Sequence, residues 1–176
     1  MNKQLLPPKF LVIAGMILAA AALRLLPHYP NFTPVAAMAL FGGAYFSNKK
    51  TAFIVPFIAM FLSDAIIGFH STMWAVYLSF AIMVVIGFQL REKKKVSNIF
   101  AASVSSSVLF FVITNFAVWM SGTMYPLNAA GLFESYVAAI PFFGYTLAGD
   151  LFYVGIFFGA FEFAKTKLPV LAEVNA

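Results

Sequence analysis

The chain has 176 residues, of which 62% are hydrophobic and only 10% are charged, and its mean hydropathy is +0.92. A soluble domain carries about 25% charged residues. The composition therefore excludes a water-soluble fold and predicts a single integral membrane domain over residues 1–176. The formal charge of +5 does not indicate a nucleic-acid partner, because the charges form short clusters between apolar runs. The absence of cysteine excludes disulfides and thiolate metal sites.

Six apolar runs predict an all-α bundle of about six transmembrane helices, since a spanning helix needs ~20 apolar residues. The predicted spans are residues 9–26, 33–46, 51–69, 72–90, 99–120 and 143–164. We interpret the first as a retained helix, because it is long for a signal peptide and lacks a small-residue cleavage site. The second covers only fourteen residues, about 21 Å against a hydrocarbon core of about 30 Å. It is either a short tilted helix or half of a re-entrant hairpin.

The basic residues predict the orientation. With six spans and the amino terminus inside, Arg24 alone of the eleven basic residues falls outside. The ten inner ones are Lys3, Lys9, Lys49, Lys50, Arg91, Lys93, Lys94, Lys95, Lys165 and Lys167. This is a strong positive-inside signal, and removing the second span would destroy it. We expect a multi-pass protein of the bacterial inner (plasma) membrane with both termini inside. Glu162, near the inner boundary, can pair with Lys165.

The predicted outer connections are more elaborate than the inner ones. Residues 27–34 contain three prolines, and residues 121–142 form the longest connection, with Gly131 and Pro141 among its helix breakers. Residues 131–140 are expected to lie along the membrane surface or to fold over the outer mouth. This asymmetry predicts that the binding face is outside.

Ionisable residues within spans are costly and indicate function. Arg24, Asp64 and Asp150 fall in the outer half of the predicted bundle, with Asn115 nearby and Asn31 in the first outer connection. One interpretation is a structural ion pair between Arg24 and either aspartate. The other is an outward-facing polar pocket for a small solute. Further polar side chains of the outer connections are His28, His70, Asn128 and Glu134.

Aromatic residues, 18% of the chain, are candidates for the walls of this pocket and would suit a heterocyclic ligand. The candidates are Phe32, Phe69, Trp74, Phe116, Trp119, Phe142 and Tyr145. Aromatic residues also collect at membrane interfaces without any ligand. The predicted substrate-binding set is Arg24, Asn31, Asp64, Trp74, Asn115, Trp119 and Asp150.

The first span carries a face of small residues that includes Gly15, Ala19 and Ala22. Such spacing allows another helix to approach closely. The face would serve either to dock a separate subunit or to pack inside the bundle.

No catalytic pattern emerges. His28 and His70 are the only histidines, and no metal-binding spacing occurs. No nucleophile lies beside a base in the sequence. We therefore expect neither an enzyme nor a bound cofactor or metal, although Asp64 and Asp150 could form an intramembrane carboxylate pair.

Residues 31–34 (Asn-Phe-Thr-Pro) lead to the Gly-rich run 39–46 (Ala-Leu-Phe-Gly-Gly-Ala-Tyr-Phe). This segment resembles the Gly-rich second helix of the substrate-binding S component of energy-coupling factor (ECF) vitamin transporters, or of a branch of small transport proteins related to it. Residues 61–64 (Phe-Leu-Ser-Asp) resemble the acidic end of its third helix. Residues 148–151 (Ala-Gly-Asp-Leu) resemble the Gly-Asp opening of its last helix. The alanine-rich first span is similar to its docking helix.

The resemblance implies a subunit that binds a small, vitamin-like molecule from outside. Transport would then need a separate transmembrane coupling subunit and two ATPases, because the chain contains no nucleotide-binding motif. The early histidine of metal-specific relatives is missing, which disfavours a metal cargo. Two alternatives stay open: a self-sufficient oligomeric transporter or channel, and a structural subunit of a membrane complex.

Overall fold

The computed structural model describes residues 6–172, which contain six α-helices, one short 3-10 helix and no strand. The helices are α1 (Pro8–Leu23), α2 (Val35–Tyr45), α3 (Lys49–Ile67), α4 (Met73–Gln89), α5 (Val96–Met120) and α6 (Ala129–Lys167), followed by the 3-10 turn Pro169–Leu171. The all-helical prediction is confirmed. Lys3 lies outside the described residues.

Three of these helices, α3, α5 and α6, are long and apolar enough to cross a membrane. The other three, α1, α2 and α4, are apolar but shorter, between 11 and 17 residues. The three long helices support a membrane location for the chain.

Helix α2 lies at the centre of the bundle. All of its eleven residues are buried, and a helix that is apolar on every side requires apolar partners all round. It packs most extensively against α4 and also contacts α1, α3, α5 and α6. Because protein surrounds this helix, its length of about 16 Å does not have to match a lipid bilayer.

A close approach of two glycines fixes α2 against α4. A Cβ atom on Gly43 would lie 2.3 Å from the carbonyl oxygen of Val84 and 2.9 Å from the Cα of Gly87. A Cβ atom on Gly87 would lie 2.6 Å from the carbonyl oxygen of Leu40. Both positions therefore require glycine, since any side chain would push the two backbones apart.

Arg91 closes the carboxyl end of α2. Its guanidinium donates hydrogen bonds to the carbonyl oxygens of Gly43 at 3.0 Å, Phe46 at 2.8 Å and Ser47 at 3.2 Å. The last carbonyls of a helix have no partner within it, and a cation there also complements the helix dipole. One side chain after α4 thus caps α2.

The predicted boundaries of five helices agree with the structure to within a few residues. Helix α1 ends at Leu23, three residues before the predicted limit, because the backbone N–H groups of residues 24–26 bond three residues back instead of four. Helix α3 begins at Lys49, where the Asn48 side chain accepts a hydrogen bond from the Lys50 N–H at 2.8 Å. It ends at Ile67 and is followed by Gly68, whose φ of 111° is in the left-handed region.

The start predicted for the last span, residue 143, is wrong, as is the 121–142 connection. Helix α6 begins at Ala129 and runs without interruption for 39 residues. The Asn128 side chain caps its first turn by accepting a hydrogen bond from the Gly131 N–H at 2.9 Å. Gly131 packs directly against the backbone before the helix, since a Cβ there would lie 2.1 Å from the carbonyl oxygen of Pro126. Pro141 lies inside the helix, where it removes one backbone hydrogen bond without ending it.

Candidate ligand-binding site

The helices alternate in direction, which gives the bundle two chemically different ends. We call the end formed by residues 24–34, 68–72 and 121–128 the cavity end. We call the opposite end, formed by Lys9 and the connections 46–48 and 90–95, the basic end. A cavity of about 380 Å³ lies at the cavity end, between α2, α3, α4, α5 and α6. This volume is within the usual range for small-molecule sites.

Ten polar residues line this cavity and give it a mixed character. They are Arg24, Asn31, Thr33, Asp64, His70, Thr72, Thr114, Asn115, Thr146 and Asp150. Five of the seven predicted substrate-binding residues are in this set. Their convergence follows from the alternating helices: Arg24, Asn31, Asp64 and Asn115 lie near the cavity end of a helix or in a connection there, and Asp150, in the middle of the long helix α6, faces the same cavity.

Arg24 and Asp64 form a direct ion pair on the cavity wall. The Arg24 Nη2 atom lies 2.6 Å from the Asp64 Oδ1 atom, and the two side chains are 12% and 1% exposed. The Tyr77 hydroxyl donates to the other carboxylate oxygen at 2.8 Å, and Arg24 also donates to the Ser63 hydroxyl. Both oxygens of Asp64 therefore have partners, and the pair joins the end of α1 to the end of α3.

Asp150 is the second acid of the cavity, and its surroundings differ from those of Asp64. The residue is 4% exposed and accepts a hydrogen bond from the Ser107 hydroxyl at 2.6 Å. Among residues 6–172 no lysine, arginine or histidine forms an ion pair with it. The predicted alternative in which Arg24 pairs with Asp150 is therefore wrong. A buried carboxylate without a cation is costly, so this position favours a ligand that supplies a proton donor or a positive charge.

Several neutral polar groups present acceptor atoms to the cavity. The Thr114 hydroxyl donates to the Phe110 carbonyl at 2.7 Å, and the Thr146 hydroxyl donates to the Phe142 carbonyl at 3.2 Å. Their donors are used within their own helices, so oxygen lone pairs remain for a ligand. Asn115 likewise donates one amide N–H to the carbonyl of Phe111, at 2.8 Å. These three side chains therefore keep acceptor oxygens available at the cavity.

Asn31 reaches the cavity through an unusual backbone conformation. Its φ of 64° makes it the one non-glycine residue in the left-handed region among the described residues. Asparagine tolerates this conformation better than most residues. The connection that carries it lies directly on α6, where a Cβ on Gly149 would come within 3.0 Å of the Phe32 Cα. Gly149 thus allows the 24–34 connection to reach the cavity.

The two predicted tryptophans do not line the cavity. Trp74 is 46% exposed, and the Trp119 indole N–H donates to the carbonyl of Pro126 at 3.0 Å, which fastens the turn between α5 and α6. Of the seven aromatic candidates only Phe142 contributes to the lining. The larger apolar side chains that do so are Met60, Ile67, Met73, Met83, Phe110, Phe111, Phe142 and Phe143. The positions of the tryptophans favour the membrane-interface alternative.

The hydroxyl partners of the two acids, Tyr77 and Ser107, were not predicted from the sequence. The available signal was spacing, because Ser103, Ser106 and Ser107 lie on one face of a helix. All three are fully buried, and the hydroxyls of Ser103 and Ser106 have no hydrogen-bond partner. They extend a polar face from Asp150 along α5, away from the cavity end.

The small-residue face of α1 points away from the bundle. Gly15, Ala19 and Ala22 are exposed, and no other part of the described chain lies within 4 Å of a Cβ built on Gly15. The residues of α1 that are buried in the core are Ile13, Ile17, Ala20 and Ala21. The alternative that Gly15, Ala19 and Ala22 pack inside the bundle is therefore wrong.

The predicted pair at the other end of α6 is confirmed. The Lys165 Nζ atom lies 2.8 Å from the Glu162 Oε2 atom. The Tyr45 hydroxyl donates to the other oxygen of Glu162 at 2.5 Å. These contacts link the end of α6 to the end of α2.

The fold and the site define an all-helical membrane protein with a polar cavity of ligand size at one end. The chain belongs to the Family of unknown function (DUF6580), whose profile matches residues 4–171. No curated protein and no solved structure matches the chain. Because the family description states no activity, the functional inference rests on the chemistry of the cavity.

Proposed function

We propose that this protein is a membrane-embedded solute-binding subunit of the ECF S-component type. It would take up a small, vitamin-like or heterocyclic molecule from the outer side. The observation that carries the proposal is the 380 Å³ cavity, lined by the Arg24–Asp64 pair, Asn115 and the unpaired Asp150.

The proposed topology has six spans with both termini inside, so that the cavity opens outward. The lysines at the opposite end support this orientation, since positively charged connections stay on the cytoplasmic side. The short helices α1, α2 and α4 would cross as parts of a bundle in which α2 is covered by protein.

The chemistry of the cavity suggests how a ligand is held. Asp150 would accept a hydrogen bond from an amine or a ring N–H of the ligand, because no cation of residues 6–172 forms an ion pair with it. The Arg24–Asp64 pair would offer a polar wall whose charges already cancel. Phe110 and Phe143 would cover the apolar faces of a planar ring.

The exposed face of α1 supports the energised mechanism implied by the resemblance. Gly15, Ala19 and Ala22 would allow a helix of a coupling subunit to approach closely, and two ATPases would bind that subunit. The chain itself supplies binding alone in this scheme.

A second candidate, a self-sufficient transporter, is favoured by one observation. The buried and unpartnered hydroxyls of Ser103 and Ser106 continue the polar face of α5 beyond Asp150. Such a face could form part of a path through the bundle. The two candidates differ in whether the chain alone moves a solute.

Ligand-dependent stabilisation tests the main proposal. The purified full chain would be screened for thermal shift against vitamins and nucleobase-like compounds, and hits would be measured by calorimetry. We expect one class of compound with hydrogen-bond donors to stabilise the protein. Asp150→Asn should weaken its binding by tenfold or more, on the order of the ~1.5–3 kcal/mol that a hydrogen bond to a charged group contributes.

Two variants provide controls for this experiment. Asn115→Ala removes a second polar contact of the cavity without changing any charge and should also weaken binding. Ser105→Ala alters an exposed position of α5 and should leave it unchanged. A panel with no stabilising compound, or binding that Asp150→Asn and Asn115→Ala both leave intact, would overturn the proposal. Uptake by proteoliposomes containing this chain alone would favour the second candidate.

A further inference from the structure

The basic end contains a second cavity, which the proposed function does not use. It has a volume of about 360 Å³ and lies against the carboxyl end of α2, where Ala44, Tyr45 and Phe46 line it. Four cations from three parts of the chain line it: Lys9 of α1, Arg91 and Lys94 of the 90–95 connection, and Lys165 of α6. Residues distant in sequence thus bring positive charge to one place.

Among the residues that the structure describes, cations outnumber acids around this cavity. Glu162, adjacent to the cavity, is paired with Lys165 at 2.8 Å and also accepts a hydrogen bond from Tyr45. Arg91 and Lys94 form no ion pair with a carboxylate of residues 6–172. Arg91 is bound to three carbonyl groups instead, and Lys94 donates to the carbonyl of Arg91. Arg91 and Lys94 therefore bring positive charge to a partly enclosed space without a described carboxylate to offset it.

The cations also act on one another. The pKa of Lys94 is lowered from its ordinary value, first by burial and then by the positive charge of Lys165; Glu162 opposes this, and Lys9 and Arg91 lower the pKa by smaller amounts. An anion in the cavity would relieve both the repulsion and the desolvation. The arrangement is therefore incomplete without a negative group.

We propose that this cavity binds the phosphate headgroup of an anionic membrane phospholipid, with Lys94, Lys165 and Lys9 as its cationic contacts. Basic pockets between transmembrane helices are a recognised way to hold such headgroups. A lipid fits better than a soluble phosphate because the helices that carry two of the cations also expose large apolar side chains. Leu11 of α1 and Phe163 of α6 are 54% and 65% exposed, so acyl chains could lie along the same helices.

Native mass spectrometry of the purified full chain tests this inference. The protein would be titrated in a neutral detergent with phosphatidylglycerol, and separately with phosphatidylcholine. We expect one phosphatidylglycerol per chain to be retained in preference to phosphatidylcholine. The variant Lys9→Gln/Lys94→Gln should weaken this binding at least about tenfold, since each lost charge-assisted contact is worth roughly that factor.

A matched variant separates a site from general attraction to positive charge. Lys50→Gln/Lys93→Gln removes the same charge from exposed positions of the same end outside the cavity lining, and it should bind phosphatidylglycerol as the natural chain does. Lys94→Arg, which keeps the charge, should also retain the lipid. If the two double variants lose affinity equally, or if both lipids bind alike, no specific site exists and the inference is overturned.

The source of the phosphate is tested with soluble probes. Inorganic phosphate and glycerol 3-phosphate should raise the melting temperature less than phosphatidylglycerol at the same concentration. Equal stabilisation by the soluble compounds would overturn the assignment to a lipid. These outcomes are independent of the solute screen, because the two cavities lie at opposite ends of the bundle.

Discussion

The two ends of the bundle hold charge in opposite ways. At the cavity end, Arg24 and Asp64 neutralise each other at 2.6 Å while Asp150 faces a void without a cation. At the basic end, Lys9, Arg91, Lys94 and Lys165 surround a cavity, and Lys165 is paired with Glu162. Among residues 6–172, Asp150 at the first end has no cationic partner, whereas cations gather at the second.

The two proposals accordingly assign different kinds of ligand to the two ends of one small chain. A buried acid without a cation would favour a molecule with hydrogen-bond donors, and a cluster of cations would favour an anion. Both sites border the central helix α2, whose buried surface leaves no room for either ligand in the middle of the bundle.

The largest effect is expected from cysteine labelling, which tests whether the two ends of the bundle lie on opposite sides of the membrane. The chain has no cysteine, so single cysteines can be labelled without background. Met124→Cys, at a side chain 75% exposed at the cavity end, should react with an impermeant maleimide in intact cells. Glu92→Cys at the basic end should react only after permeabilisation. Labelling of both in intact cells would contradict the six-span topology.

The next largest effect is expected from breaking the ion pair. Arg24→Leu leaves Asp64 buried without its cation and should destabilise the protein by about 3–5 kcal/mol. The double variant Arg24→Leu/Asp64→Leu should recover most of that loss. Reversible unfolding in bicelles would measure both. If the Arg24→Leu variant were as stable as the natural chain, the ion pair would not be what holds the end of α1 to the end of α3.

A smaller loss is expected where α2 meets α4. Gly43→Ala places a methyl group against the Val84 carbonyl and the Gly87 backbone, and it should cost about 1–3 kcal/mol. Gly159→Ala is the matched control, because nothing lies within 4 Å of a Cβ there and alanine is the better helix former. Thermal unfolding compares the two. If the Gly43→Ala variant were as stable as the Gly159→Ala variant, the close backbone contact between α2 and α4 would be contradicted.

The smallest effect is a pH dependence at the basic end. Since the folded protein lowers the pKa of Lys94, the unfolded chain binds more protons between that pKa and the ordinary value of about 10.4. Without anionic lipid, the natural chain should therefore gain stability relative to Lys94→Gln as the pH rises through this window. Melting temperatures between pH 7 and 10 would show it. A difference that stays constant or falls with pH would contradict the charge crowding at this cavity.

Parts of the cavity could be predicted from the sequence, and parts could not. The polar lining was predictable in part, because polar groups in apolar helices are costly and indicate function. The positions of these groups in successive apolar runs also indicated one common end of the bundle. The residues predicted in this way are Arg24, Asn31, Asp64, Asn115 and Asp150. The tryptophans were not predictable, since an amphipathic ring suits an interface as well as a pocket. The roles of Ser107 and Tyr77 depended on which helix faces meet.

Local composition and the length of hydrophobic runs were enough to predict the class of protein and five of the six helices to within a few residues. They also predicted the separation of acidic and basic groups along the chain. The tertiary structure alone decided that α2 is enclosed, that Arg24 pairs with Asp64 and leaves Asp150 unpaired, and that α6 begins at Ala129. The first two depend on contacts between residues distant in sequence, such as Gly43 against Gly87, whereas the start of α6 depends on the local geometry by which Asn128 caps the helix and Gly131 packs against the Pro126 carbonyl. A breaker residue in the sequence becomes a packing residue only when its neighbour in space is known.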